Sequence, residues 1–167
     1  MTRHFDHYAS RSPAPRTVAA WFVLGIAPSE RVPWWAAQWL ADGHDGPALR
    51  ELAGLNGREP RTVHDLLPTA LAEAGVELPT TLSHAASEAF GLLAELHLTG
   101  QASARWVAQQ VEQIVYRTDY DAEVQRLPLG RLYGLADEWE WDGGWGRTEE
   151  KLEAEVRERC IEQTQAV

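Results

Sequence analysis

The sequence predicts an all-α fold, a compact domain of about seven or eight short to medium helices. Three observations carry this. Apolar residues recur at helical spacing, most plainly at Leu82, Ala85, Ala86, Ala89, Phe90, Leu93 and Leu96. Proline repeatedly stands where a helix would begin and glycine where one would end. Alternating apolar and polar runs of strand length are almost absent.

At 167 residues and 44% apolar composition the chain has the size and core of one ordinary domain. Residues 1–16 are polar and carry Pro13 and Pro15, which reads as a flexible N-terminal arm, leaving 17–167 as a single helical domain. His4 and His7 lie on that arm, one helical turn apart, and two ligands there make a poor metal site. The stretch Val18–Ala27 follows three arginines, as a signal peptide would, but cleavage near Ala27 would leave Pro28 at the cut. A buried first helix from Thr17 to Ala27 is the expectation, ended by Pro28, with Ser29 capping the next turn.

Pro33 opens the second helix. Trp35 and Trp39 are spaced four apart and share its inner face, whereas Trp34 points about 100° away and is left for a second contact. Gly43 closes it. Asp45 is the expected cap of a helix that starts at Pro47, buries Leu49, Leu52 and Ala53, and ends at Gly54 or Gly57. Pro60 opens the next, with Val63, Leu66 and Leu67 inward, and Pro68 is expected to kink it or restart it before Gly75. Val76–Pro79 is a linker and the one candidate for a short extended piece. Thr80 or Thr81 caps a long helix to Leu98, and Ser103 caps another carrying Val107, Val111, Ile114 and Val115. The short connection predicts a helical hairpin near 80–117. A short polar helix over Asp119–Arg126, a further one around Leu129–Ala136, and a last one capped by Thr148 with Leu152, Val156 and Cys160 inward complete the chain.

The charge is uneven. Net charge is −10; residues 1–67 balance seven arginines against seven acids, while 119–167 set six basic groups against thirteen acidic ones. Such a surface repels phosphate backbones and anionic membranes and attracts basic partners. No apolar run reaches the ~20 residues that span a bilayer. One cysteine, Cys160, excludes an internal disulfide and a cysteine-based zinc site, as expected of a reducing cytoplasm.

Three patterns compete for function. Leu49–Leu66 places a small residue, a turn glycine and a β-branched residue at Ala53, Gly57 and Val63, a spacing that resembles the DNA-binding helix-turn-helix. In that reading Arg58, Arg61, Thr62 and His64 would meet the nucleic acid. The acidic balance and Asp65 on the supposed recognition helix argue against it. His84 and Glu88 lie one turn apart with Glu95 two turns further, the weak makings of a metal-dependent enzyme. Asp119 and Asp121 flank Tyr120 without a calcium-loop pattern. No phosphate-binding glycine loop, HExxH or GxSxG is present, and no cofactor is expected.

The third pattern is aromatic and acidic. Eight tryptophans are many for this length, and DEWEWDGGWG interleaves three of them with acids before a glycine hinge. Tryptophan is enriched at interface hot spots, and indole faces and carboxylates both attract cationic side chains. The expectation is a non-enzymatic, cytoplasmic, acidic helical protein that binds a basic protein partner. Trp34, Asp137, Glu138, Trp139, Glu140, Trp141, Asp142 and Trp145 are the candidate contact residues. An inhibitor or immunity-type protein that neutralises a basic toxin or nuclease is one concrete form.

Overall fold

The computed structural model describes residues 12–141 and 146–166. The fold is all-α, with eight α-helices and two 3₁₀ helices among the described residues. The expected N-terminal arm, with His4 and His7, lies outside the described residues as far as residue 11. The chain divides into two compact units, residues 1–80 and 81–167, each with its own core.

The first unit contains α1 (Pro15–Val23), α2 (Val32–Ala41), α3 (Pro47–Ala53) and α4 (Pro60–Glu73). All four carry proline at the first or second helical position, and none is capped by its own N-cap side chain. Proline fixes the helical φ and removes one of the amides that a helix start leaves unpaired. This overturns two expected caps. Ser29 sits in a turn before α2, whose N-cap is Arg31. Asp45 is one residue too early for α3 and instead pairs with Arg50, Nε to Oδ1 at 2.7 Å. The α3 cap comes from α4, where the Glu73 carboxylate accepts the amides of Ala48 at 3.1 Å and Leu49 at 2.8 Å.

The core of this unit is tryptophan. Trp21, Trp35 and Trp39 are fully buried beside Leu49, Leu52, Val63, Leu67 and Leu71. The Trp21 and Trp35 rings are 5.7 Å apart and tilted 47°. Trp39 Nε1–H donates to the carbonyl of Pro13 at 2.9 Å, so the chain entering α1 satisfies the one polar atom of a buried ring. Replacing any one of these rings by alanine would cost about 3–5 kcal/mol. Pro68 neither ends nor restarts α4, which runs unbroken to Glu73. No strand forms at Val76–Pro79.

The second unit contains α5 (Leu82–Leu98), α6 (Ala104–Arg117), α7 (Ala122–Arg126), 3₁₀ helices at Leu129–Leu132 and Leu135–Glu140, and α8 (Glu149–Gln165). Its α-helices start by a different rule. Thr81, Ser103, Asp121 and Thr148 each accept an amide of the first turn, as side-chain caps do. Helices α5 and α6 touch, as a hairpin should, but α5 packs most extensively on α8. Leu152, Val156 and Cys160 form the buried stripe of α8, and Gln163 extends it. The fully buried Gln163 amide accepts Leu129 N–H at 3.2 Å and donates to Ser87 Oγ at 3.3 Å, so its polar atoms bridge α5 and the first 3₁₀ helix.

The expected helix over Asp119–Arg126 is the clearest departure. Only Ala122–Arg126 is helical, because α6 closes with Tyr120 N–H on Val115 O and Asp119 N–H on Tyr116 O. That is the Schellman closure, which needs a left-handed residue after the C-cap. The ends of α1, α2, α4 and α5 close the same way with Gly25, Gly43, Gly75 and Gly100 in that place. At α6 the place is filled by Asp119 at φ 52°, and Tyr120 follows at φ 57°.

Candidate binding site

This strained turn lies at the mouth of a groove in the second unit. Left-handed backbone costs a side-chain-bearing residue about 1–2 kcal/mol, and such strain persists where the surroundings impose it. The groove encloses about 400 Å³ and is lined by Glu112, Gln113, Tyr116, Tyr120, Tyr133, Gly134 and Asp137. Glu112 and Tyr116 are four apart on α6 and so share a face. The turn brings Tyr120 alongside, and the junction of the two 3₁₀ helices supplies Tyr133, Gly134 and Asp137.

Three of the four tyrosines in the chain meet here. The Tyr116 and Tyr120 rings are 6.1 Å apart at 87°, and those of Tyr120 and Tyr133 are 5.8 Å apart at 78°. All three are exposed, at 66%, 46% and 44% of their surface. Edge-to-face contact of this kind holds aromatic rings in place without burying them.

The electrostatics point one way. Burial pushes the Glu112 carboxyl above its usual range, and the nearby Asp137 charge pushes it further, while the Gly134 N–H bonded to it pulls it back. Burial, the neighbouring Tyr120 and the two carboxylates raise Tyr133, which therefore stays a neutral phenol. Among the described residues no lysine or arginine forms an ion pair with Glu112 or Asp137. A cation entering between them would relieve their mutual repulsion.

The tryptophan-bearing acids are arranged differently. Glu138 receives Arg147, Nη2 to Oε1 at 2.8 Å and Nε to Oε2 at 3.2 Å, and its pKa is lowered chiefly by that hydrogen bonding. Arg147 also reaches Glu155 at 2.9 Å, and Arg159 joins Glu155 at 3.5 Å to Glu162 at 2.9 Å. Glu140 pairs with Arg105. Trp139 is half-buried and Trp141 is 55% exposed, with its ring against Gly146, where a Cβ would come within 3.2 Å of it. Asp142 and Trp145 lie outside the described residues. Of the acids of this segment, Asp137 joins the tyrosines, while Glu138 and Glu140 are held by arginines.

Trp34 is on α2 in the first unit and is 44% exposed. Arg58, Arg61 and His64 are exposed, and Thr62 is half-buried. Six residues separate α3 from α4, where the helix-turn-helix uses three or four. Gly57 has a packing reason of its own, since a Cβ there would meet the Glu30 carbonyl at 2.8 Å. The His64 ring packs against Phe22, centroids 4.7 Å apart and tilted 39°. His84 Nε2 lies 3.7 Å from Glu88 Oε1, but Glu95 does not join them, and no group of three or more potential metal ligands converges among the described residues.

Sequence reasoning named Asp137 and missed the tyrosines. The signal was present as an absence: α6 has no glycine after it, so its closure had to place side chains in a left-handed turn. No helix of the described residues is long and apolar enough to cross a membrane. Compared with family models, with characterised proteins and with solved structures, the chain matches none.

Proposed function

We propose that this chain is a non-enzymatic, cytoplasmic binding protein whose second unit docks a basic protein partner. The observation that carries the reading is the groove, where two carboxylates with no ion-pair partner among the described residues stand among three exposed tyrosine rings. Exposed aromatics on a scaffold held by helix packing are what interface hot spots are made of, and the acidic surplus speeds encounter with a basic surface. An inhibitor or immunity-type protein that covers a basic toxin or nuclease is the concrete form this favours. The Trp141 face lies on the same unit and serves as a second contact.

The test is a comparative pull-down from native lysate with the wild type, an E112Q/D137N double variant and Trp141→Ala. Loss of a basic partner from the groove variant, with the fold intact by circular dichroism, supports the reading. An unchanged set of retained proteins refutes the groove as the docking face.

A further inference from the structure

We propose that the cation seated in the tyrosine–carboxylate groove is a methylated ammonium group. The inference rests on reading the groove as a cation site and names the chemistry it selects. Three candidates fit a negatively charged aromatic groove: a guanidinium, a primary ammonium and a methylated ammonium. Geometry separates them.

A guanidinium is a flat plate that stacks on one ring and takes a carboxylate as a two-pronged fork. Here successive ring planes stand 87° and 78° apart, so a plate lying on one ring meets the next ring nearly at right angles. A primary ammonium is strongly hydrated and brings three N–H groups that each want an acceptor. Three of the seven lining residues are tyrosines, and their ring faces offer an ammonium no lone pair in exchange for that water.

A methylated ammonium is rounded, weakly hydrated and needs fewer acceptors or none. Its charge is spread over the methyl groups, which can touch perpendicular rings at once, the arrangement by which aromatic cages hold such cations. Glu112 and Asp137 supply the countercharge without having to form a hydrogen bond to it. The groove volume of about 400 Å³ admits such a headgroup together with part of its stem. The side chain of a methylated lysine on a partner and a free choline-type headgroup share this chemistry.

The experiment is a titration of the full chain followed by the NMR signals of the tyrosine rings. The probes are tetramethylammonium, choline, trimethyl-lysine amide, lysine amide and arginine amide. Saturable shifts with the methylated probes are expected at Tyr116, Tyr120 and Tyr133, with lysine and arginine amides binding at least about tenfold more weakly. Tyr116→Phe should bind as the wild type does, and Tyr116→Leu should lose most of the affinity; Tyr116 is exposed enough that neither threatens the core. Tighter binding of trimethyl-lysine amide than of choline assigns the site to a protein side chain, and the reverse to a small headgroup; both support the proposal. Arginine or lysine amide binding as tightly as the methylated probes overturns the methyl preference and leaves the basic-partner reading standing. Tyrosine signals that move with no probe overturn both, as does wild-type affinity in Tyr116→Leu for the site itself.

Discussion

The contact between Glu73 and the start of α3 makes a prediction that can be worked through from the structure. Helix α3 has no cap of its own, and a carboxylate from α4, some 24–25 residues further along the chain, accepts its second and third amides. Loss of an N-cap costs about 0.5–2 kcal/mol, and hydrogen bonds to a charged group about 1.5–3 kcal/mol. The pair is half-buried, so Glu73→Ala should cost about 2–3 kcal/mol and Glu73→Gln about 1 kcal/mol. Gly46 supplies an independent lever. Its φ is 166°, extended backbone that alanine adopts freely, yet a Cβ there would fall on the Glu73 carboxyl group. Gly46→Ala should therefore expel the cap and cost about 1–2 kcal/mol, the loss being offset in part by the lower entropy of the unfolded alanine chain. In a Glu73→Ala background the obstruction is gone, and the same substitution should be neutral or slightly stabilising. Urea unfolding of the four proteins, followed by tryptophan fluorescence, gives the coupling directly. If the two single costs simply add, the cap is not what Gly46 protects and the reasoning fails.

Three further outcomes are expected. Burial pushes the Cys160 thiol up to about 12, so the native protein at mildly alkaline pH should resist a thiol-specific disulfide reagent and react at once in urea; rapid native labelling would contradict the packing of α8. Asp119→Gly puts the residue used after four other helices into the left-handed turn and should stabilise by about 0.5–1 kcal/mol in thermal unfolding, whereas a loss of stability would show that the Asp119 side chain contributes something the geometry does not reveal. Glu112 has its folded pKa raised, first by burial and then by Asp137, so its protonated form favours the folded state and that contribution is lost as pH rises through the raised value. Glu112→Gln should accordingly gain stability relative to the wild type between about pH 4 and pH 7, measured by urea unfolding at both; a gain in the opposite direction would refute the assignment.

What could be read from the chain beforehand was local. Proline at helix starts and glycine at helix ends act within one turn, so Pro33, Pro47, Pro60, Gly43, Gly75 and Gly100 marked their helices correctly. The burial of Trp35 and Trp39 with Trp34 left outside follows from helical spacing alone. What escaped was long-range. Glu73 caps a helix of another part of the sequence, and Asp45, the obvious local candidate, was displaced from that role by a single residue of register. In the acidic segment, composition showed the carboxylates but not the arginines that hold them. Arg147 lies nine residues from Glu138 and Arg105 thirty-five from Glu140, and neither spacing follows a helical repeat. The tyrosine groove was hidden for the same reason, since Tyr116 and Tyr133 are joined by a reversal that no glycine advertised.

The placement of charge is what finally distinguishes the groove from the rest of the acidic unit. Carboxylates on α8 and in the segment before it are threaded by Arg147 and Arg159 into one network, in which each arginine contacts two glutamates. Exposed pairs of this kind contribute little individually, and their effect is to hold the segment against the helix. Such carboxylates are poor at capturing a partner, because an incoming cation must first displace a guanidinium of this chain. Glu112 and Asp137 meet no such competitor among the described residues, and they repel one another. A surface with ten surplus negative charges spread evenly would be a surface suited to solubility. Leaving two carboxylates uncompensated in the same concavity as three tyrosines, beside a turn that breaks the rule four other helices obey, raises the free energy of the unbound state at one place. A bound cation would recover that energy at neutral pH, so on the proposed reading partner binding should depend on the groove rather than on the tryptophan-bearing loop.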